Sequence, residues 1–76
     1  MKEQMLNALK THAIGNIELH KTNIEIYLSN PAGIGEHSDI MEAVQAEMDK
    51  IAVHADRLAT LGFFERDDEN EEVTVN

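Results

Sequence analysis

The sequence predicts an all-α fold: a two-helix antiparallel hairpin that dimerises into a four-helix bundle and carries a disordered acidic C-terminal tail. Three observations predict it. Apolar residues recur at helical spacing over two long stretches; the single proline and two of the four glycines fall between those stretches; and the last twelve residues are almost wholly acidic or polar. These divide the chain into a helix over residues 2–29, a loop over 30–38, a second helix over 39–63, and a flexible acidic tail over 65–76, with 1–64 as one helical hairpin.

At 100° per residue the first helix presents an apolar stripe of Leu6, Leu9, Ala13, Ile17, His20, Ile24 and Tyr27 or Leu28. A second stripe runs beside it through Met1, Met5, Ala8, His12, Gly15, Leu19 and Ile26, with Thr22 filling the remaining step. Glu3, Lys10, Glu18, Lys21 and Glu25 gather on the opposite side. Such a helix expects two neighbours. Met5, Ala8, His12, Gly15, Leu19 and Ile26 are therefore the candidate self-association residues. Gly15 either lets two backbones approach closely or marks a local kink, and costs about 1 kcal/mol in helix propensity against alanine.

The second helix carries one stripe: Ile40, Met41, Val44, Met48, Ile51, Ala52, Ala55, Leu58 and Ala59. Asp39 with Glu42 supplies a capping pair, with Ser38 as the alternative cap. Gly62 marks the expected helix end, and Phe63 and Phe64 fold back as an apolar plug. Antiparallel pairing then sets Ile24 against Val44, His20 against Met48, Ile17 against Ile51, Ala13 against Ala55 and Leu9 against Leu58. This covers the first stripe of helix 1 and leaves the second open, and an antiparallel dimer closes it.

Size makes that closure necessary. A domain of 76 residues buries only about 60% of the surface its unfolded chain exposes, and small domains usually need disulfides, a metal or oligomerisation. The chain has no cysteine, which excludes disulfides and thiolate metal sites. The polar start, Met1-Lys2-Glu3-Gln4-Met5, is no signal peptide, and no apolar run approaches the ~20 residues of a membrane span. A soluble protein is expected. The formal charge of −9 is concentrated after residue 35, since three lysines balance three glutamates in residues 1–29. It repels phosphate backbones and anionic lipid, so neither direct nucleic-acid binding nor membrane binding is expected.

The connecting loop, Asn30-Pro31-Ala32-Gly33-Ile34-Gly35-Glu36-His37-Ser38-Asp39, is the most distinctive segment. Its Gly-x-Gly follows a helix, lacks a lysine and presents carboxylates, which argues against a phosphate cradle. Asn30 and Pro31 stop the first helix, and Ile34 caps the bundle end. Ile34, Glu36 and His37 are the loop candidates for partner contact. His37, Ser38 and Asp39 are contiguous, whereas a hydrolytic triad must converge from separate places, so no catalytic residue is assigned. The four histidines lack the Glu-x-x-His pattern of di-iron bundles, so no metal ligand or cofactor is assigned. His20 reads as a buried, hydrogen-bonded imidazole, and His12 as a residue facing a dimer mate. A histidine-based metal site stays open only because symmetry brings equivalent histidines together. In the tail, Asp67, Asp68, Glu69, Glu71 and Glu72 form either a solvated end or a mimic of nucleic-acid charge for a basic groove.

The stretch Tyr27–Phe64, YLSNPAGIGEHSDIMEAVQAEMDKIAVHADRLATLGFF, resembles small uncharacterised proteins of tailed phages that infect marine bacteria, cyanobacteria among them. The similarity centres on NPAGIGEHSDI and the helix after it, and covers about half of the chain. It implies a setting in the host cytoplasm or the virion and no particular activity. The sequence thus points to a small non-enzymatic phage protein that binds its own copies and an unidentified host or phage protein, as a virion or assembly component or a host-binding factor. The alternatives are an acidic inhibitor that blocks a basic site and a histidine-based metal-binding protein.

Overall fold

The computed structural model describes residues 1–29 and 37–73, and every described residue except Met1 is α-helical. Helix α1 spans Lys2–Ser29 and helix α2 spans His37–Val73. At 1.5 Å per residue α1 is about 42 Å long. The two helices pack against each other as an all-α hairpin measuring 59 × 25 × 14 Å. Its radius of gyration is 17.8 Å, against about 11 Å for a compact chain of this length, so the hairpin is a rod.

The seam between the helices follows a heptad rule. On α1 the buried or half-buried residues include Leu6, Lys10, Ala13, Ile17, His20, Ile24 and Tyr27, in alternating steps of four and three. On α2 the corresponding line is Ile40, Val44, Glu47, Ile51, His54, Leu58, Leu61 and Glu65. This spacing keeps one line of side chains facing the neighbour along the whole rod. Ala13, 2% exposed, is the most enclosed residue. Lys10 and Glu65 close the end away from the loop with a 2.8 Å ion pair between half-exposed side chains.

Helix α2 departs from its predicted bounds and orientation. Gly62 does not end it: the helix continues through Gly62 and into the acidic segment as far as Val73. Glycine costs a helix only about 1 kcal/mol, and the glutamates that follow are good helix formers. Phe63 and Phe64 accordingly continue the helix as exposed residues and do not fold back. The helix also starts at His37, so Asp39 lies in its first turn, where its charge suits the helix dipole.

The expected stripe of α2 is turned away by about one residue. His20 meets Glu47 and not Met48, which is 55% exposed, and Ala52, Ala55 and Ala59 are exposed as well. Leu9 on α1 is likewise outside the seam. A strict heptad line wins over the broader apolar average because Glu47 and the Lys10–Glu65 pair find polar partners there and His54 stacks on His20.

Candidate functional site

Two features of the hairpin carry functional information: a polar cluster in the seam and the apolar flanks beside it. The polar cluster is centred on Glu47. His20 Nδ1 lies 2.6 Å from Glu47 Oε1, and Asn23 Nδ2 donates to the same oxygen at 3.1 Å. The ionised carboxylate only accepts, so the imidazole proton sits on Nδ1. The side chains of His20 and Glu47 are 12% and 13% exposed. The hydrogen bonds from Asn23 and His20 hold the Glu47 carboxyl below its ordinary range. Two turns further along α2, His54 stacks on His20 with ring centroids 6.3 Å apart, and meets His12 edge-on at 5.8 Å. His54 Nδ1 is buried without a hydrogen-bond partner. Burial first, and then the charges of Arg57, His12 and His20, push the His54 pKa down. A buried donor or acceptor left unpaired costs stability, and the neutral ring keeps that cost lowest. Among the described residues no group of three histidine or carboxylate side chains is arranged to hold a metal ion.

The flanks are distinguished by a groove of about 260 Å³ lined by Leu9, His12, Ala13, Arg57, Thr60 and Leu61. It shows that the Leu9–His12 side of α1 lies beside the Arg57–Thr60 side of α2. Heptad steps from His12 place Met5, Leu19 and Ile26 on the same flank, and they are 58%, 55% and 59% exposed. Heptad steps from Thr60 add Val53 and Ala46, which line a second groove with Lys50, Asp49, His54 and Arg57.

Four of the six predicted self-association residues, Met5, His12, Leu19 and Ile26, therefore share one exposed line. Ala8 and Gly15 are exposed too, but sit one position round, at the back of α1. His12 has its aromatic neighbour, His54, within its own chain. Of the loop candidates, Ile34 and Glu36 lie outside the described residues, and His37 is the first residue of α2. Asp67, Asp68, Glu69, Glu71 and Glu72 all lie on the last turns of α2. Sequence reasoning missed Asn23, Glu47 and His54. The signal was present: Ile40, Glu47, His54 and Leu61 are spaced by sevens, and only their polarity hid two of them.

Accessible surface gives the flanks their weight. The chain exposes 5954 Å², roughly 1,300 Å² more than the ~4,700 Å² typical of a folded monomer of 8.5 kDa. No described helix is long and apolar enough to cross a membrane. Neither a protein-family model, nor a curated protein, nor a solved structure matches the chain. Fold and surface define a class: a two-helix antiparallel hairpin with exposed apolar residues on either side of its seam.

Proposed function

We propose that this chain is a non-enzymatic protein-interaction module that works as a homodimer. Two hairpins pack through the flank of Met5, Leu9, His12, Leu19 and Ile26 to form a four-helix bundle. The observation that carries the reading is the exposure of four large apolar side chains, Met5, Leu9, Leu19 and Ile26, along one side of α1. Monomeric proteins rarely leave such a patch open. In the phage setting that the loop resemblance implies, the dimer serves as a scaffold that holds a second protein.

Exchanging Leu19 for Glu tests the dimer. The substitution removes one buried leucine from each copy, about 3–6 kcal/mol for the pair, which loosens association at least ~100-fold. Light scattering on the eluting peak should then report the mass of a single chain. A variant that keeps the assembly of the unsubstituted protein would place the interface elsewhere.

A further inference from the structure

The opposite flank of the hairpin is built differently, and its composition specifies a partner. Met41, Met48 and Ala55 each follow a seam residue of α2 (Ile40, Glu47, His54) by one position, so they lie across the seam from Arg57 and Thr60. Ile14 and Leu28 follow Ala13 and Tyr27 in the same way on α1. All four large side chains of this flank, Ile14, Leu28, Met41 and Met48, are exposed. Beyond them α2 offers Gln45 near the loop end and then the small residues Ala52 and Ala59, beside which a shallow trough runs with methionines on one wall.

Charge separates the two flanks. Glu18 and Glu25 border this trough on α1, and Glu42, Asp49 and Asp56 run at heptad spacing along the outer edge of α2. Lys21 follows His20 and so stands on the same line as Ile14 and Leu28, within the trough, and Arg66 lies one heptad beyond Ala59. On the Leu19 flank, Lys50 and Arg57 stand between that acidic edge and the seam, with Asp39 near the loop end. That flank suits a second copy. This one, apolar around a single lysine and acidic along Glu18 and Glu25, suits a second copy less well, because pairing would bring the two sets of glutamates close together.

We propose that the Met41–Met48 flank binds an amphipathic helix with basic edges, supplied by another protein. The occupant's apolar face fills the trough between the helices, and its lysines or arginines meet Glu18 and Glu25 on α1. Methionines suit such a surface, because their unbranched side chains adapt to different apolar faces.

A fluorescein-labelled amphipathic peptide of leucine and lysine is the probe, with a leucine–glutamate peptide of the same pattern as control, both followed by fluorescence anisotropy against the full chain. The Leu/Lys peptide should bind saturably and the Leu/Glu peptide should not. Met48→Glu gives the decisive reading, because charge and burial act in opposite directions there. It should weaken binding about tenfold or more, as an apolar contact is lost. Ala52→Glu, at an exposed position of the same flank, should do likewise, and circular dichroism would establish that both variants keep their helix content. Leu19→Glu should leave the affinity within about twofold, whatever it does to the dimer. Tighter binding by Met48→Glu and Ala52→Glu would mean that charge alone attracts the peptide, and equal binding of both peptides would mean that it is only apolar surface. Loss of binding in Leu19→Glu would move the site to the other flank. Each of these three results overturns the proposal.

Discussion

Glycine-to-alanine exchanges at the two helical glycines probe the hairpin and its assembly at once. Gly15 and Gly62 lie inside continuous helices, and neither has a left-handed backbone. A Cβ built on either one meets no atom within 4 Å. Nothing within the hairpin therefore opposes alanine, and each exchange should add about 0.8–1 kcal/mol by restricting the unfolded chain and improving helix propensity. Against a total of about 4–11 kcal/mol for a domain of 76 residues, each gain is substantial. It corresponds to a rise in Tm of roughly 4–8 °C, read by circular dichroism at matched protein concentration. Gly15 carries the sharper test. It sits at the back of α1, away from the Leu19 line, so its alanine variant should keep the mass of the unsubstituted protein. A Gly15→Ala variant that melts lower or fails to assemble, while Gly62→Ala melts higher, would mean that a second backbone approaches Gly15. The proposed interface would then be wrong by about one residue of rotation.

Two further perturbations address the seam. Lowering the pH should destabilise the hairpin in two stages. His54 is held below its ordinary 6.5 by burial, so its unfolded form takes up a proton first, and stability present above pH 6.5 is lost as the pH falls towards the folded pKa. Glu47, held below its ordinary 4.5, contributes stability above that value, which is lost only as the pH falls through its depressed pKa. His54→Leu should flatten the first stage, and a Tm of that variant falling as steeply as before over the unit below pH 6.5 would exclude His54 as its source. Ala13→Leu inserts bulk at the most enclosed point of the seam, 2% exposed, and should cost about 1–3 kcal/mol by urea unfolding. An unchanged midpoint would show that the helices separate there without penalty.

The all-α hairpin was legible in the sequence because its signals are local. Asn30-Pro31 is a local stop signal and α1 ends at Ser29, and the apolar spacing of both helices reads as helix without knowledge of the neighbour. Rotation of α2 was not legible. The alanines and methionines of α2 raise its apolar average on the Met41–Met48 side, whereas the seam contains Glu47 and His54. Those two are acceptable inside only because His20 and Asn23 on the other helix satisfy Glu47, and because His54 stacks on His20. That pairing is tertiary information, invisible to a count made along one helix. The end of α2 was misplaced for the opposite reason: Gly62 is a strong local stop signal, but the residues after it favour helix enough to carry the chain past it.

One exposed stripe on α1 is legible without knowledge of α2. Met5, His12, Leu19 and Ile26 lie seven apart, a spacing that keeps them together however α2 is turned, whereas Ala8 and Gly15 entered the same stripe only through a wider angular window. Among the described residues the seam encloses only Ala13 fully, and most of the large apolar side chains are left on the outside. The proposed dimer would tie the stability of such a chain to its concentration.

Sedimentation equilibrium of the unsubstituted chain over a range of micromolar concentrations reads that dependence directly. The proposed dimer should give a mass of about twice 8.5 kDa, falling towards one chain only on dilution. A folded, helical species of 8.5 kDa at every concentration would contradict it, since Met5, Leu19 and Ile26 would then face water in the working protein.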